Sequence, residues 1–313
     1  MTEIPQRQAY GMALAEYGDV NPDVVVLDAD VSFSTLTSYF AKRHPSRFFD
    51  LGVTEASMVN VGVGFALAGK IPFVNTFAAL LTLRACEQIR TCVAYARTNV
   101  KLIGGFAGLS DYKDGPTHFA TNDLAIMRAM PNMTVIAPSD NVEAAQMVRA
   151  LAEYDGPVYM RISRAAVLDV HKVPRHVEIG KGIPLREGRD VTLIGTGSMV
   201  GRCVLAAEAL AREGIQARVV AIHTIKPLDK DLVLTAAYDT GALVTAEDHT
   251  IIGGLGGAVA EILAEGCPVP LERVGIADTF VETGPDPETL MDAWGLSVSD
   301  IVAATQKVLA RKA

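Results

Sequence analysis

EASMVNVGVGFALAGKIPFV, residues Glu55 to Val74, is the stretch whose reading sets the fold. From Glu55 to Ala68 the residues are small or apolar with hardly a charge among them, a composition that suits a buried helix. Gly69 and Lys70 break the pattern, and Ile71 to Val74 is a short apolar run of strand character. The same alternation extends in both directions. Upstream lie a helix near Arg7 to Tyr17, a strand at Val24 to Leu27 and a helix around Thr35 to His44. Downstream come a helix from Ala78 to Ala96, strand Val100 to Gly105, strand Met133 to Ala137, helix Val142 to Tyr154 and strand Val158 to Ile162. Apolar runs alternating with helices signal a parallel α/β sheet.

Between Ala165 and Gly188 periodicity is lost and polar residues collect around Pro174 and Pro184, which reads as a linker. A second α/β unit follows, with strands at Val191 to Gly195, Ala217 to Ala221, Leu243 to Glu247 and Leu271 to Ile276. Helices Val200 to Glu213, a short one after Pro227, Gly254 to Glu265, Pro287 to Ala293 and Ser297 to Lys312 accompany them. The expected fold class is therefore α/β, with two parallel-sheet domains at 1–165 and 189–313 joined by a linker at 166–188. A length of 313 residues suits two cores better than one.

Half the residues are hydrophobic and the formal net charge is -8, which argues for a core-rich globular chain and gives no support to nucleic-acid binding. Cys86, Cys92, Cys203 and Cys267 form no CxxC pair and read as reduced thiols in a cytoplasmic protein. The N-terminal MTEIPQRQAY lacks an apolar signal core, and no run is long enough for a membrane span.

Asp114-Gly115-Pro116-Thr117-His118 packs a carboxylate, a turn, a hydroxyl and an imidazole into one loop, so Asp114 and His118 can be held to grip a polar ligand; a plain solvated turn has the same composition. Glu55 precedes an almost charge-free helix, where apolar walls favour hydrogen-bond donation or shared-proton chemistry. The alternative is a carboxylate placed at a helix N-terminus by the macrodipole. Arg7, Ser34, Arg161 and Arg164 are candidates to converge on an anion, because the guanidinium fork matches phosphate oxygens. Gly195-Thr196-Gly197-Ser198 lacks a full dinucleotide fingerprint and reads as a tight strand-to-helix turn. Gly253-Gly254-Leu255-Gly256-Gly257 has no Walker lysine and reads as a close-packed helix entry. The histidines show no metal-ligand spacing, and no metal site is assigned.

Taken in order, Asp28-Ala29-Asp30, Gly52-Val53-Thr54-Glu55-Ala56, Thr76-Phe77, Asp114 to His118 and Ser163-Arg164 resemble the transketolase family over nearly the whole chain. The first half is similar to its pyrimidine-binding domain and the second to its C-terminal domain. The resemblance implies thiamine diphosphate as cofactor. Glu55 matches the glutamate that hydrogen-bonds the pyrimidine ring nitrogen and favours its imino tautomer. Phe77 matches an aromatic lining the pyrimidine pocket, with Leu80 and Leu83 where the family often has further aromatics. Asp30 matches a position close to the cofactor, although the Asp28-Ala29-Asp30 turn also reads as a strand-end loop. Asp114 and His118 match contacts to sugar hydroxyl and carbonyl groups, while Arg7, Ser34 and Arg164 match those holding a terminal phosphate. Phe106 falls near a position where many members carry a histidine for phosphate.

No GDG motif is present, and the first strand arrives within thirty residues of Met1. The implied protein is thus the C-terminal subunit of a split transketolase, paired with a separate GDG-bearing subunit that holds magnesium and the cofactor diphosphate, as an α2β2 heterotetramer acting on sugar phosphates. The second domain is expected to bury area between subunits rather than supply catalytic residues. Rival readings are the beta subunit of a thiamine-dependent 2-oxoacid dehydrogenase, the deoxyxylulose phosphate synthase, normally one longer chain, and a non-catalytic scaffold that would have no use for Glu55, Phe77 and His118 together.

Overall fold

A computed structural model describes residues 4–173 and 176–312; Pro174, read as part of the linker, lies outside the described residues. The first half supplies strands β1 (Val24–Asp28), β2 (Phe48–Asp50), β3 (Ile71–Phe77), β4 (Lys101–Gly105), β5 (Thr134–Ile136) and β6 (Val158–Ile162). The second supplies β7 (Ile183–Arg186), β8 (Val191–Gly195), β9 (Ala217–Ala221), β10 (Thr224–Lys226), β11 (Leu243–Thr250) and β12 (Leu271–Ile276). They form two sheets, ordered β10-β5-β6-β4-β3-β1-β2 and β12-β11-β8-β9-β7. All pairings are parallel except β10 on β5 and β7 on β9, so each sheet is mostly parallel with one antiparallel edge strand.

Both faces of the first sheet are covered, which explains why its strands read as unbroken apolar runs. Successive side chains of β1 alternate between two cores: Val25 and Leu27 pack with Val74 and Leu102, whereas Val24 and Val26 pack with Phe73 and Ile103. Helix Glu55–Leu67 lies against β3 through Glu55, Met58, Val59 and Gly62. At Gly62 a side chain would not fit, because a Cβ there would stand 2.7 Å from Val74 Cγ2. The opening stretch therefore folds back on itself. Its helix is only half covered, contrary to the expected burial: Ser57, Asn60, Val61, Gly64 and Leu67 face outward. Small residues allow the close approach on one side, and among the described residues no element covers the opposite side, where Val61 and Leu67 stand beside Ser57 and Asn60.

Several expectations are corrected. β7 lies inside the segment expected to be linker, and β10, absent from the expected elements, crosses back to extend the first sheet. Ala78 to Ala96 is not one helix but Ala78–Arg84, Cys86–Gln88 and a π-helical turn Ile89–Tyr95. Thr35 to His44 divides at Leu36, whose φ of 62° separates Ser32–Thr35 from Ser38–Arg43. β2 and helix Asp123–Ala129 were not expected either.

A buried polar junction joins the two sheets. Arg161 at the end of β6, 2 % exposed, reaches Asp123 at 3.2 Å and Asp248 of β11 at 3.1 Å, and the Tyr159 hydroxyl donates to Asp123 at 2.6 Å. Gly108, with a left-handed φ of 55°, lies so near that a Cβ would come within 2.6 Å of Arg161 Nη2. Behind Asp248, Glu247 accepts the Leu255 and Gly256 N–H groups at 2.7 and 2.8 Å. The glycine-rich helix entry is thus satisfied by the chain's own carboxylate, in the position an anion would otherwise take. Burial pushes Glu247 up to about 7, and it lowers the His249 imidazole to about 4.

Candidate active site

Parallel pairing sets the first row of the site. Phe77 is in register with Gly105, and Gly105 with Ile162, so the residues just beyond β3, β4 and β6 emerge side by side at the carboxyl edge of the sheet. This is where open α/β sheets place their ligands. Phe106 follows Gly105 with φ 60°, a left-handed conformation unusual for a bulky residue, and is almost fully buried. Its ring stacks on Phe77 at 4.2 Å between centroids, and Phe77 in turn meets the edge of His118 at 5.9 Å. Two guanidiniums lie on Phe106, that of Arg164 at 4.9 Å and that of Arg7 at 5.8 Å from the ring centre.

Arg7 comes from helix Gln6–Val20 and donates to the backbone carbonyl of Ser34 at 2.6 Å. Ser34 therefore meets Arg7 through its main chain. The turn carrying Ser34 is anchored by Asp28 at the end of β1, which accepts from Val31 N at 2.7 Å, Thr37 Oγ1 at 2.8 Å and Thr35 Oγ1 at 3.1 Å. Burial pushes Asp28 up to about 6, against the pull of these three hydrogen bonds. Arg164 ion-pairs with buried Asp111, whose carboxyl is also pushed up to about 6, first by burial and then by neighbouring Asp114, with Arg164 opposing. The mutual nearness of Arg7 and Arg164 matters too: after burial, Arg164 is the next cause lowering the Arg7 pKa.

The 114–118 loop is closed by bonds from His118 N and Phe119 N to Gly115 O at 2.9 and 3.0 Å, with Gly115 at φ 78°. Thr117 Oγ1 and His118 Nδ1 lie 2.9 Å apart. Leu109 and Phe119, flanking this loop, pack into the core of the second domain beside Val281 and Leu290. Gly284 N also donates to Tyr112 O at 3.0 Å. The second domain thus holds the loop in place, a role the sequence did not disclose.

Glu55 opens its helix 3 % exposed, and its carboxylate takes a 2.9 Å ion pair from Arg84, a half-exposed side chain ending the helix Ala78–Arg84. Asp30 is exposed at φ 61°, its N–H donated to Asp50 at 3.0 Å. Among the described residues, neither Glu55 nor Asp30 has a hydrogen bond, ion pair or ring contact with the Phe77–Phe106 row. Arg161, a candidate anion binder, is removed from that role by the junction, where two aspartates already compensate it. Asp111, Arg84 and Asp28 were given no role from the sequence; Asp111 carried a signal in its closeness to Asp114 in one loop, and Asp28 in the Asp28-Ala29-Asp30 motif, in which the expected role went to Asp30. No cluster of three His, Cys, Asp or Glu side chains among the described residues is placed to hold a metal ion.

The chain is thus a two-domain α/β protein with an aromatic row and two arginines at the carboxyl edge of its first sheet, and with a buried glutamate opening a helix of the same domain. Residues 2–168 match the transketolase pyrimidine-binding domain and residues 180–301 the transketolase C-terminal domain. The chain belongs to the transketolase family. It is 42% identical over 306 residues to the 6-deoxy-6-sulfo-D-fructose transketolase subunit SqwH of Clostridium sp. (strain MSTE9), covering 98% of this chain and 95% of that protein. With a subunit of the apulose-4-phosphate transketolase of Phocaeicola vulgatus it shares 36% identity over 279 residues, 89% of each chain. A solved split-gene transketolase, described as an inactive beta4 tetramer, superposes with a TM-score of 0.93 at 45% identity, covering 99% of this chain and 100% of that one. Transketolase from Leishmania mexicana shares the fold at a TM-score of 0.80 and 23% identity, this chain spanning 46% of its length.

Proposed function

We propose that this chain is the pyrimidine-binding subunit of a heteromeric, thiamine-diphosphate-dependent transketolase that moves a two-carbon ketol unit between sugars with anionic tails. The observation that carries the reading is the pair of guanidiniums on Phe106, joined through Phe77 to His118 at one sheet edge. Subunits of relatives at 42% and 36% identity are named for transketolase reactions on a sulfo-sugar and a sugar phosphate, which supports both the reaction and the tail chemistry.

The residues present fit the pyrimidine half of the cofactor. Glu55 is a buried carboxylate whose one ion pair, to Arg84, is made by a half-exposed and therefore displaceable group, and Phe77 offers an aromatic face. When bound, thiamine diphosphate supplies an electron sink for breaking the carbon–carbon bond beside a carbonyl. Glu55 holds a proton at the pyrimidine ring nitrogen. His118 and Asp114 bind and orient the sugar's carbonyl and hydroxyl groups, and Asp30 borders the cofactor. Arg7 and Arg164, with the Ser34 turn behind Arg7, fasten the anionic tail.

Magnesium and diphosphate fall to a partner subunit, in an α2β2 assembly in the cytoplasm. The inactivity ascribed to the solved beta4 relative agrees with that division of labour. Purified alone, the chain is expected to show no ketol transfer; mixed with a GDG-bearing partner and cofactor it gains activity. Glu55→Gln in that mixture lowers turnover by about 100-fold or more, the usual range for a lost proton-transfer group. Full activity of the isolated chain would sink the split-enzyme reading, and near-normal turnover of Glu55→Gln would remove Glu55 from the mechanism.

A further inference from the structure

Arg7 and Arg164 come from opposite ends of the first domain, yet both guanidiniums lie on the Phe106 ring. Like charges so placed repel, and Asp111, ion-paired with Arg164, offsets only part of that repulsion at Arg7. A brace is found one residue before each arginine. Gln6, buried at the start of the helix Gln6–Val20, accepts the Ser163 N–H through Oε1 at 2.7 Å. Its Nε2 donates to Pro138 O at 2.9 Å and to Asp140 O at 3.3 Å, in the turn after β5. A neutral amide can accept on one side and donate twice on the other; a carboxylate or an alkyl chain cannot. Arg164 is then fastened by the following loop, its N–H donating to Ser110 Oγ at 3.0 Å and its guanidinium pairing with Asp111.

We propose that Gln6 is a positioning residue that sets the separation of the Arg7 and Arg164 guanidiniums, so that the two grip the anionic tail of the sugar as one unit. All three of its hydrogen bonds go to main-chain groups, so it acts through the arginines and not on the substrate. Its place is what distinguishes it from an ordinary structural amide: Gln6 and Ser163, the two residues joined, each lead directly into an arginine of the clamp. Loosening that bond lets the end of β6 drift from the helix, and both guanidiniums drift with it. Two guanidiniums share one tetrahedral anion only while both reach it, and a misplacement of about 1 Å can cost about 100-fold. The inference rests on the transketolase reading and concerns how the same site is held.

The test uses the chain assembled with its GDG-bearing partner and thiamine diphosphate. Fructose 6-phosphate and the neutral ketose erythrulose serve as alternative donors to one neutral aldose. Gln6→Met nearly conserves volume and removes all three hydrogen bonds. It is expected to raise KM for fructose 6-phosphate by about tenfold, while kcat with either donor and KM for erythrulose stay within about two-fold of the parent. In an Arg164→Ala background the same substitution should raise KM for fructose 6-phosphate by less than about two-fold, because a lone guanidinium has no partner to be aligned with. Should Gln6→Met not fold, Gln6→Glu is read in the same way; it keeps the shape and the acceptor for Ser163 and loses both donors. Equal losses with the two donors, an undiminished effect in the Arg164→Ala background, or an unchanged KM for fructose 6-phosphate in a folded variant would each make Gln6 a merely structural residue and overturn the proposal. All three leave the transketolase intact. Ketol transfer from neither donor by the parent would overturn the transketolase reading, and this inference with it.

Discussion

Arg161 in β6 and Arg164 just beyond its end stand three residues apart and meet opposite fates. Arg161 is 2 % exposed and held by two aspartates, Asp123 opening a helix of the first domain and Asp248 in β11 of the second. Arg164 is 32 % exposed, has one carboxylate partner and lays its guanidinium on Phe106. A buried guanidinium needs its charge compensated within the protein, and doubly compensated it has nothing left for a ligand. Partial exposure lets Arg164 keep one face free. The junction fastens the two domains, and three residues later comes Arg164, which with Arg7 forms the clamp proposed to hold an anionic tail.

The sharpest way to break this contrast is to truncate both arginines. Arg161→Ala strands Asp123 and Asp248 without their cation, and breaking a buried pair in this way costs about 3–5 kcal/mol. Denaturant unfolding of the chain should show that loss, while the kcat/KM of the folded, partnered enzyme stays within a few-fold of the parent. Arg164→Ala should reverse the pattern, raising KM for an anionic donor by about tenfold or more and lowering stability less than Arg161→Ala does. Equal destabilisation by the two variants would show that Arg164 is a structural arginine and would dissolve the distinction.

How far the sequence went depends on the distance between partners. The helix-and-strand alternation around Glu55 to Val74 is local, and the fold class and the larger strands follow from it. β10 was invisible because three residues show no periodicity, and its partner β5 lies in the other domain. The fate of Arg161 turns on Asp248, 87 positions away, so nothing near Ser163-Arg164 could separate the two arginines. The Asp114 to His118 loop was conspicuous, yet its support comes from Leu109 and Phe119 packing against Val281 and Leu290 of the second domain. Arg84 is a helix-surface arginine by sequence, and only the tertiary placement of Glu55 makes it a partner. Residue types were legible where chemistry is local, and pairings were not.

The same two regions also differ from ordinary protein carboxylates in their response to pH. Glu247 behind the junction is pushed up to about 7, and Asp111 in the clamp, with Asp28 beneath the Ser34 turn, to about 6, all chiefly by burial. Their ordinary values are 4.5 for Glu247 and 3.8 for the two aspartates, so between those values and about 6 to 7 the folded chain holds protons that the unfolded chain has released. Stability contributed by these groups is present in full below pH 4 or so and is lost as pH rises through about 6 to 7. His249, lowered to about 4, acts in the opposite direction over the lower part of the window, and Lys101, lowered by burial to about 7, at its upper end. Glu143 and Asp248, also raised chiefly by burial, act with the three. The melting temperature should therefore fall on the order of a few degrees between pH 5 and pH 7.5. In Arg164→Ala, Asp111 loses the cation that opposes its upward shift, so the fall should extend to higher pH; Arg161→Ala, which leaves Asp111 and Arg164 intact, should not alter that part of the profile. A melting temperature that rises steadily over this range would show that these carboxylates are solvated in the folded chain, and it would remove the buried negative charge on which the contrast between junction and clamp depends.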